Sequence, residues 1–123
     1  MKRILVVDDS LTTRMFYRSV LEPAGFHVEE ASNGLEGLEQ VMLHRFDMAI
    51  VDVNMPKMDG YAMTEELRRN PDLSALPVLT ISTEASAADA ARAYSAGANY
   101  YLVKPADPTD LTLVTQMLTG TAS

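Results

Sequence analysis

Four short apolar segments recur along this chain, and each leads directly into a charged or hydroxyl side chain. Segments of four apolar residues have the length and composition of buried strands. Segments with apolar residues at helical spacing lie between them, so strands and helices alternate, which is typical of a parallel sheet covered on both faces. The polar residues are Asp8 and Asp9 after residues 4–7, Asp52 after 48–51, Ser82 after 78–81, and Lys104 after 100–103.

The whole pattern predicts five strands and five helices. The second strand carries His27, Glu29 and Glu30, and these polar residues suit the edge of a sheet. This fits a doubly wound, flavodoxin-like α/β fold with a five-stranded parallel sheet in the order 2-1-3-4-5. In that order ligands bind at the carboxyl ends of the strands, between the first and the third. The predicted strands span residues 3–7, 27–31, 47–51, 77–81 and 99–103.

The predicted helices are bounded by capping residues and glycines. The first covers residues 11–24 and ends at Gly25, and the third stops before Pro71. The alanine-rich fourth helix has a thin apolar stripe, and we expect it to be marginally stable and mobile. Candidate N-caps of helices two to five are Asn33, Asp59, Ser86 and Asp107. The apolar residues at helical spacing are Leu11, Met15, Phe16, Val20 and Leu21 in helix one, Leu35, Leu38 and Met42 in helix two, Met63 and Leu67 in helix three, and Leu111, Val114 and Leu118 in helix five.

Length and charge restrict the classes of function. The 123 residues suit a single domain over residues 1–123, with a frayed tail at 119–123. Ten basic residues against seventeen acidic ones give a net charge of −7, which argues against direct binding to nucleic acid. No cysteine is available for disulfides or thiolate chemistry. Because no apolar run approaches the roughly 20 residues that span a bilayer, and no signal peptide is recognisable, we expect a cytoplasmic monomer that binds no membrane.

The strand-end residues suggest a site for a cation and a phosphoryl group. Two carboxylates about 4 Å apart repel each other by roughly 1 kcal/mol in water and about 4 kcal/mol at a partly shielded surface. Either a proton or a metal must therefore accompany Asp8, Asp9 and Asp52, and oxygen ligands favour a hard ion such as Mg²⁺. Asp52 is then a candidate nucleophile towards phosphorus, and Lys104 and Ser82 would stabilise charge on the transferred group.

The motifs around these residues resemble those of the receiver domains of response regulators. The resemblance covers nearly the whole chain and is closest to the single-domain, CheY-like receivers of chemotaxis. Any one of its motifs alone would be a weak signal, but together they are specific. They are ILVVDDS, the D-x-N-M-P-x-M-D-G stretch that begins at Asp52, LPVLTIS and YYLVKP.

The resemblance implies roles for individual residues. Asp52 would receive a phosphoryl group from a phosphohistidine on a sensor histidine kinase or a phosphotransfer protein, and become an aspartyl phosphate. Asp9, Asp52 and the backbone carbonyl of Asn54 would hold Mg²⁺ directly, and Asp8 would act mainly through metal-bound water.

A further set of implied roles concerns the response to phosphorylation. Ser82 and Lys104 match the switch hydroxyl and the lysine of the family, and Tyr101 matches the switch aromatic. The bond between Lys104 and Pro105 is expected to be cis.

The resemblance also implies a short-lived signal, and the chain departs from the family's pattern at two positions. Asn54 and Glu84 occupy the two positions that tune loss of the phosphoryl group. Thr83 stands where an alanine is common and adds bulk beside Ser82. Ala106 replaces a frequent aromatic after Lys-Pro, so the nearby surface would suit a different partner.

The function implied is a stand-alone binding module controlled by phosphorylation, and not an enzyme with its own substrate. Phosphorylation would reshape the face formed by helix four, strand five and helix five. That face would contact a target protein, which in chemotaxis is the flagellar motor switch. A phosphorelay carrier, a cell-cycle regulator or a phosphate sink would carry the same site residues.

Two other classes fit less well. A haloacid-dehalogenase-like phosphatase needs a second acid two residues after its nucleophile, where this chain has Asn54. A flavin or nucleotide carrier needs a phosphate cradle, but the loop over residues 8–13 is acidic and has no glycine.

Several other residues have plain interpretations. His27 and His44 are expected to face solvent, and most of the eight methionines to fill the core, with Met55 and Met58 as candidates for exposure. The charged residues of helix three are expected to form a solvated face; they are Glu65, Glu66, Arg68 and Arg69.

Overall fold

The computed structural model describes residues 1–121 and has the predicted alternation of strands and helices. Five parallel strands form one sheet in the order β2-β1-β3-β4-β5, which confirms the predicted fold class. Across residues 1–121, no helix is both long and apolar enough to cross a membrane. The strands are β1 Arg3–Val7, β2 His27–Ala31, β3 Met48–Asp52, β4 Val78–Ser82 and β5 Tyr100–Val103. The helices are α1 Leu11–Leu21, α2 Gly34–Leu43, α3 Gly60–Arg69, α4 Ala87–Ala96 and α5 Pro108–Thr119.

Alternate residues of the central strands face opposite sides of the sheet and build two cores. Ile4 and Val6 of β1 pack in the core beneath α1 and α5. Leu5 and Val7 point the other way, into the core that holds Met63 of α3. All four β1 residues are fully buried, as expected of a central strand that is covered on both faces.

The predicted capping residues are confirmed. Asn33, Asp59 and Ser86 each accept a hydrogen bond from a backbone N–H three residues later, at the starts of α2, α3 and α4. Asp107 accepts from two such groups at the start of α5, with Pro108 as the first helical residue. These bonds satisfy donors that helix N-termini leave unpaired, so they fix where each helix leaves the sheet.

The expected inward faces of the first two helices are confirmed in part: Phe16, Val20, Leu21 and Leu38 pack in the cores, but the other four predicted residues are exposed. Leu11 and Met15 of α1 are 60% and 58% exposed, while Tyr17 is buried in the core. In α2, Leu35 and Met42 are exposed. The buried residues of α2 are Val41, Gly34 and Gly37, and Leu38 packs beside them. The two glycines let α2 approach its neighbours closely.

Strands β3 and β4 lie one residue later than predicted and β5 begins one residue later, and the ends of α1 and α5 differ for identifiable reasons. Helix α1 ends at Leu21 rather than at residue 24, because Pro23 has no N–H to continue the helical hydrogen bonds. At the other end of the chain, Thr119 is still helical, and the Thr121 N–H donates to the Gln116 carbonyl. The first three residues of the expected frayed tail, 119–121, therefore belong to α5 and its cap. Residues 122–123 of that tail lie outside the described residues.

Arg68 is wrongly predicted as part of a solvated face. Its guanidinium donates to the carbonyls of Gly97 and Leu76 at 2.9 and 2.7 Å, and to the Asn99 side chain at 2.9 Å. The Asn99 oxygen also accepts from the Val78 N–H. Burial lowers the pKa of Arg68. Arg68 thus joins α3 to the end of α4 and to the starts of β4 and β5.

Replacing Arg68 with methionine is expected to lower the free energy of unfolding by about 2 kcal/mol, because partly buried carbonyls lose a charged donor. The midpoint of urea unfolding measures the loss. Arg69 is the matched control: it is adjacent, its side chain is 65% exposed and it pairs with Glu66. Its replacement should change stability little. Equal losses in the two variants would contradict this role of Arg68.

Candidate functional site

The acidic residues meet at the carboxyl end of the sheet, between the two strands that the strand order indicates. Asp8 and Asp9 follow β1, and Asp52 is the last residue of β3, beside β1 in parallel register. One carboxylate oxygen from each of the three lies within 4.8 Å of the others. Asp8 and Asp52 are buried, and Asp9 is exposed. Three carboxylates from two neighbouring strand ends therefore form one acidic pocket.

Lys104 provides the positive charge of the pocket. Its Nζ lies 2.9 Å from Asp8 Oδ2 and 3.0 Å from Asp52 Oδ1. The lysine side chain is 20% exposed, whereas those of Asp8 and Asp52 are 1% and 7% exposed. The backbone N–H of Lys104 donates to the Ser82 carbonyl and so continues the pairing of β5 with β4. One ammonium group is thus shared between two buried carboxylates.

Burial and neighbouring charges shift the pKa values of the pocket. Burial raises the pKa of Asp52; the bond to Lys104 lowers it, the charges of Asp8 and Asp9 raise it, and the net shift is upward. Burial lowers the pKa of Lys104, but its bonds to Asp8 and Asp52 outweigh that effect and the net shift is again upward. The pocket therefore carries more negative charge than its single lysine neutralises, and it favours an additional cation.

The donor atoms of the pocket fit Mg²⁺. Three carboxylates converge, and Asp9, the exposed one, accepts no hydrogen bond from any side chain or backbone group in residues 1–121. Carboxylates with water positions are the ligands that Mg²⁺ prefers. Among residues 1–121, no histidine or cysteine joins this cluster to favour a softer metal.

Ser82 lies at the next strand end, on the side of the pocket away from β1. It is the last residue of β4 and is fully buried. Its hydroxyl oxygen accepts a hydrogen bond from the Glu84 N–H at 3.1 Å. The structure thus brings Ser82 to the same edge as Asp52, with its hydroxyl engaged in the loop that leads to α4.

Tyr101 joins the same loop from β5. Its hydroxyl donates to the Glu84 carbonyl at 2.6 Å, and its ring is half-buried against a small cluster that includes Tyr61, Val53 and Ala93. Glu84 is thereby held through its N–H by Ser82 and through its carbonyl by Tyr101. The two residues assigned to the switch therefore bind opposite sides of one residue.

The other residues that the resemblance singles out differ in burial. The side chains of Asn54, Thr83 and Glu84 are exposed, and Ala106 is buried. The bond between Lys104 and Pro105 is cis, as the resemblance implies.

The exposure predicted for His27 and His44 is confirmed. Met55 and Met58, candidates for exposure, are instead partly buried against the core.

Two residues of the site escaped the sequence analysis. Tyr17 is buried. Its burial, and to a smaller extent the charges of Asp8 and Asp52, raise the pKa of its hydroxyl, so the hydroxyl stays neutral. Arg14 donates to the backbone carbonyl of Asp8 at 2.6 Å. Tyr17 could have been found from a different phase of helix α1, but nothing in the sequence distinguishes Arg14 from a solvated arginine.

Residues 4–116 match the family described as the response regulator receiver domain. The chain belongs to this family. Membership makes this chain a receiver domain of two-component signalling. Receiver domains generally bind Mg²⁺ at a cluster of aspartates such as the one formed here.

Similar proteins of known structure include chemotaxis receivers and kinase-borne receivers. The chemotaxis protein CheY4 of Vibrio cholerae is 36% identical, with a TM-score of 0.90 over 96% of this chain and 98% of that one. The receiver domain of a signal transduction histidine kinase from Syntrophus aciditrophicus is 33% identical, with a TM-score of 0.91 over 98% of this chain and 91% of that one. Both likenesses extend over the whole receiver domain.

Longer proteins contain a similar segment. The sensor histidine kinase CheAY of Helicobacter pylori is 38% identical over 115 residues, which is 90% of this chain and 14% of that protein. This chain spans about a seventh or less of the length of the curated relatives it matches. The similarity therefore concerns the receiver domain and not the rest of those proteins.

Proposed function

We propose that Asp52 of this receiver domain accepts a phosphoryl group from a phosphohistidine on a sensor histidine kinase or a phosphotransfer protein. An Asp52 carboxylate oxygen forms the new bond to phosphorus, the bond from phosphorus to the histidine nitrogen breaks, and the imidazole keeps the electron pair. The observation that carries the proposal is the 3.0 Å contact between Lys104 Nζ and Asp52 Oδ1 inside a pocket of three carboxylates. Such a contact orients the nucleophile and supplies charge for the transferred oxygens.

In this proposal Mg²⁺ is held by Asp9, Asp52 and the backbone carbonyl of Asn54, with Asp8 acting through bound water. When bound, the ion neutralises negative charge on the phosphoryl oxygens. Asp8 also fixes Lys104, because its Oδ2 accepts from the ammonium group while its Oδ1 accepts from the Ser10 N–H. Asn54 and Glu84, both exposed, tune how quickly water removes the phosphoryl group.

The same proposal assigns the output to the face formed by α4, β5 and α5. Ser82 would exchange its bond to the Glu84 N–H for one to the phosphoryl group, which would free the loop that Tyr101 also holds. This is a shift between two accessible states rather than a new fold. The face already exposes apolar side chains that a protein partner could cover; they are Tyr94, Tyr100, Val103, Leu113 and Met117.

Chemotaxis is the pathway we propose, with the flagellar motor switch as the target. Its support is the likeness to the chemotaxis protein CheY4 of Vibrio cholerae across the whole receiver domain. A phosphorelay, a cell-cycle pathway or a phosphate sink would use the same pocket. Capture of partners with and without beryllofluoride, a phosphoryl mimic, would separate these pathways, because only the chemotaxis assignment expects a motor switch protein.

The decisive experiment is intact-protein mass spectrometry after incubation with Mg²⁺ and acetyl phosphate. We expect one labile phosphoryl adduct in the unmodified protein. It should be absent from Asp52→Asn and when EDTA replaces Mg²⁺, because both the acceptor and the charge neutralisation are needed.

Asp59→Asn is a useful comparison, since Asp59 caps α3 and lies outside the pocket. That variant should form the adduct normally. A stable adduct, or one that persists in Asp52→Asn, would refute the assignment of Asp52. Steady release of phosphate from p-nitrophenyl phosphate would indicate a phosphatase instead.

A further inference from the structure

Arg14 of α1 contacts the acidic pocket through the backbone: it binds the carbonyl of Asp8 rather than any of the pocket's three carboxylates. Its Nη1 donates to the carbonyl oxygen of Asp8 at 2.6 Å, and its Nε donates to Glu30 Oε1 at 2.8 Å. The arginine side chain is only 14% exposed. One guanidinium therefore links α1, the end of β1 and the edge strand β2.

The carbonyl that Arg14 binds belongs to the peptide unit that joins Asp8 to Asp9. That unit is planar, so turning it changes the ψ angle of Asp8 and the φ angle of Asp9 together. The Asp8 N–H is fixed separately by the Ala31 carbonyl at 3.1 Å. Arg14 thus supplies the second attachment, directly before Asp9.

Asp8 and Asp9 differ in how much else holds them. The Asp8 carboxylate accepts from Lys104 and from the Ser10 N–H, so its orientation is secured within the pocket. The Asp9 carboxylate is exposed and accepts no such bond from any other group in residues 1–121. The direction of Asp9 therefore depends on the backbone to which it is attached.

Glu30 fixes the orientation of Arg14. Its two carboxylate oxygens accept from Arg14 on one side and from Arg18 on the other. Burial raises the pKa of Glu30, but its bonds to Arg18 and Arg14 outweigh this and lower the pKa overall, so Glu30 stays ionised. Glu30 pairs with Val6 of β1 in the sheet register, two residues before Asp8.

We infer that Arg14 is a positioning residue for the cation site: by holding the Asp8 carbonyl it directs the Asp9 carboxylate towards Mg²⁺. This rests on the proposed function, because it assumes that the pocket binds Mg²⁺. A residue that acts only through its charge would have the opposite effect, since a cation beside the pocket weakens the binding of another cation. The sign of the change on removing Arg14 separates the two roles.

The test is isothermal titration of Mg²⁺ into the metal-free full chain. Loss of a residue that orients a metal ligand typically weakens metal affinity by about 10-fold to 100-fold. We expect Arg14→Ala to weaken Mg²⁺ binding by about 10-fold, at the low end of that range. Arg14→Lys should also bind weakly, because an ammonium group cannot span Glu30 and the Asp8 carbonyl together. The matched control is Arg18→Ala, which removes a partner of the same Glu30 but no contact with Asp8, and should bind as the unmodified protein does.

Phosphorylation by acetyl phosphate supplies a second readout. With Arg14→Ala, the Mg²⁺ concentration for half-maximal rate should rise in parallel with the dissociation constant, while the rate at saturating Mg²⁺ stays close to that of the unmodified protein. A purely structural defect would lower the saturated rate as well. Melting curves in EDTA show whether each variant is folded, and if Arg14→Ala does not fold, Arg14→Lys decides.

The possible outcomes are distinct. Tighter binding in Arg14→Ala with restored affinity in Arg14→Lys would show a charge effect and overturn the inference. Unchanged binding in both variants would overturn it as well, as would equal weakening in Arg18→Ala. If the unmodified protein itself binds no Mg²⁺, the proposed function fails, and that result is recognisable before any variant is measured.

Discussion

Replacing Lys104 with methionine should lower the free energy of unfolding near neutral pH by about 3 kcal/mol, because it leaves two buried carboxylates without their shared counter-charge. The ammonium group contacts Asp8 and Asp52 at 2.9 and 3.0 Å, and both carboxylates are almost completely buried. Methionine fills a similar volume, so little of the loss should come from packing. The free energy is measured by urea unfolding in EDTA.

The loss should depend on pH in a direction that identifies its cause. Burial already raises the pKa of Asp52, and removing Lys104 takes away the contact that opposes this rise. A carboxyl group whose pKa is higher in the folded than in the unfolded state binds protons preferentially in the folded state. Its destabilising effect is therefore absent at low pH and appears as the pH rises through the folded-state pKa. Relative to the unmodified protein, Lys104→Met should regain stability as the pH is lowered from neutral towards the ordinary range of carboxyl groups.

Two controls accompany this measurement. Lys57→Met removes an exposed lysine from the loop after β3 and should cost little at any pH. Millimolar Mg²⁺ should restore part of the stability of Lys104→Met, since a bound cation replaces the lost positive charge. A loss in Lys104→Met that is the same at neutral and mildly acidic pH would indicate a packing defect rather than uncompensated charge.

The position of the pocket could be predicted because it depends on the sheet alone. Parallel strands in register bring their carboxyl ends to one edge, so residues directly after the strands must meet there. Asp8, Asp52 and Lys104 were found in this way from four apolar runs. The polar residues of β2 correctly indicated an edge strand, which agreed with the predicted order 2-1-3-4-5.

What could not be predicted depends on tertiary partners that are distant in sequence. Apolar residues occur on more than one side of α1, so helical spacing alone does not show which side faces the sheet. Packing against the sheet buries Tyr17 and leaves Leu11 and Met15 exposed. Arg14 and Arg68 both look like surface arginines in the sequence. Each is instead directed to backbone carbonyls by elements that the folded chain brings together, β2 for Arg14 and the α4–β5 connection for Arg68.

The role of Gly60 also could not be predicted from the sequence, because it depends on the contacts made in the turn from β3 to α3. Its N–H donates to the Val53 carbonyl at 2.9 Å, which brings the start of α3 back against the end of β3. A Cβ atom on Gly60 would lie 2.2 Å from the Asp52 carbonyl oxygen and 2.9 Å from the Asp52 carbonyl carbon. Both contacts are with backbone, so no side-chain rotation can relieve them.

Gly60→Ala should therefore lower the free energy of unfolding by about 3 kcal/mol, near the upper end of the cost of overpacking, because the backbone of α3 or β3 must shift. Gly25→Ala is the matched control, since Gly25 has a positive φ of 97° but an added Cβ would meet no atom within 4 Å. Its cost should be only that of the left-handed backbone, about 1 kcal/mol. The clash at Gly60 falls on the residue proposed to accept the phosphoryl group, so the folded fraction of Gly60→Ala should also react more slowly with acetyl phosphate, whereas Gly25→Ala should react normally. If Gly60→Ala proved no less stable than Gly25→Ala, the close approach of α3 to the Asp52 backbone would not be a constraint on this fold.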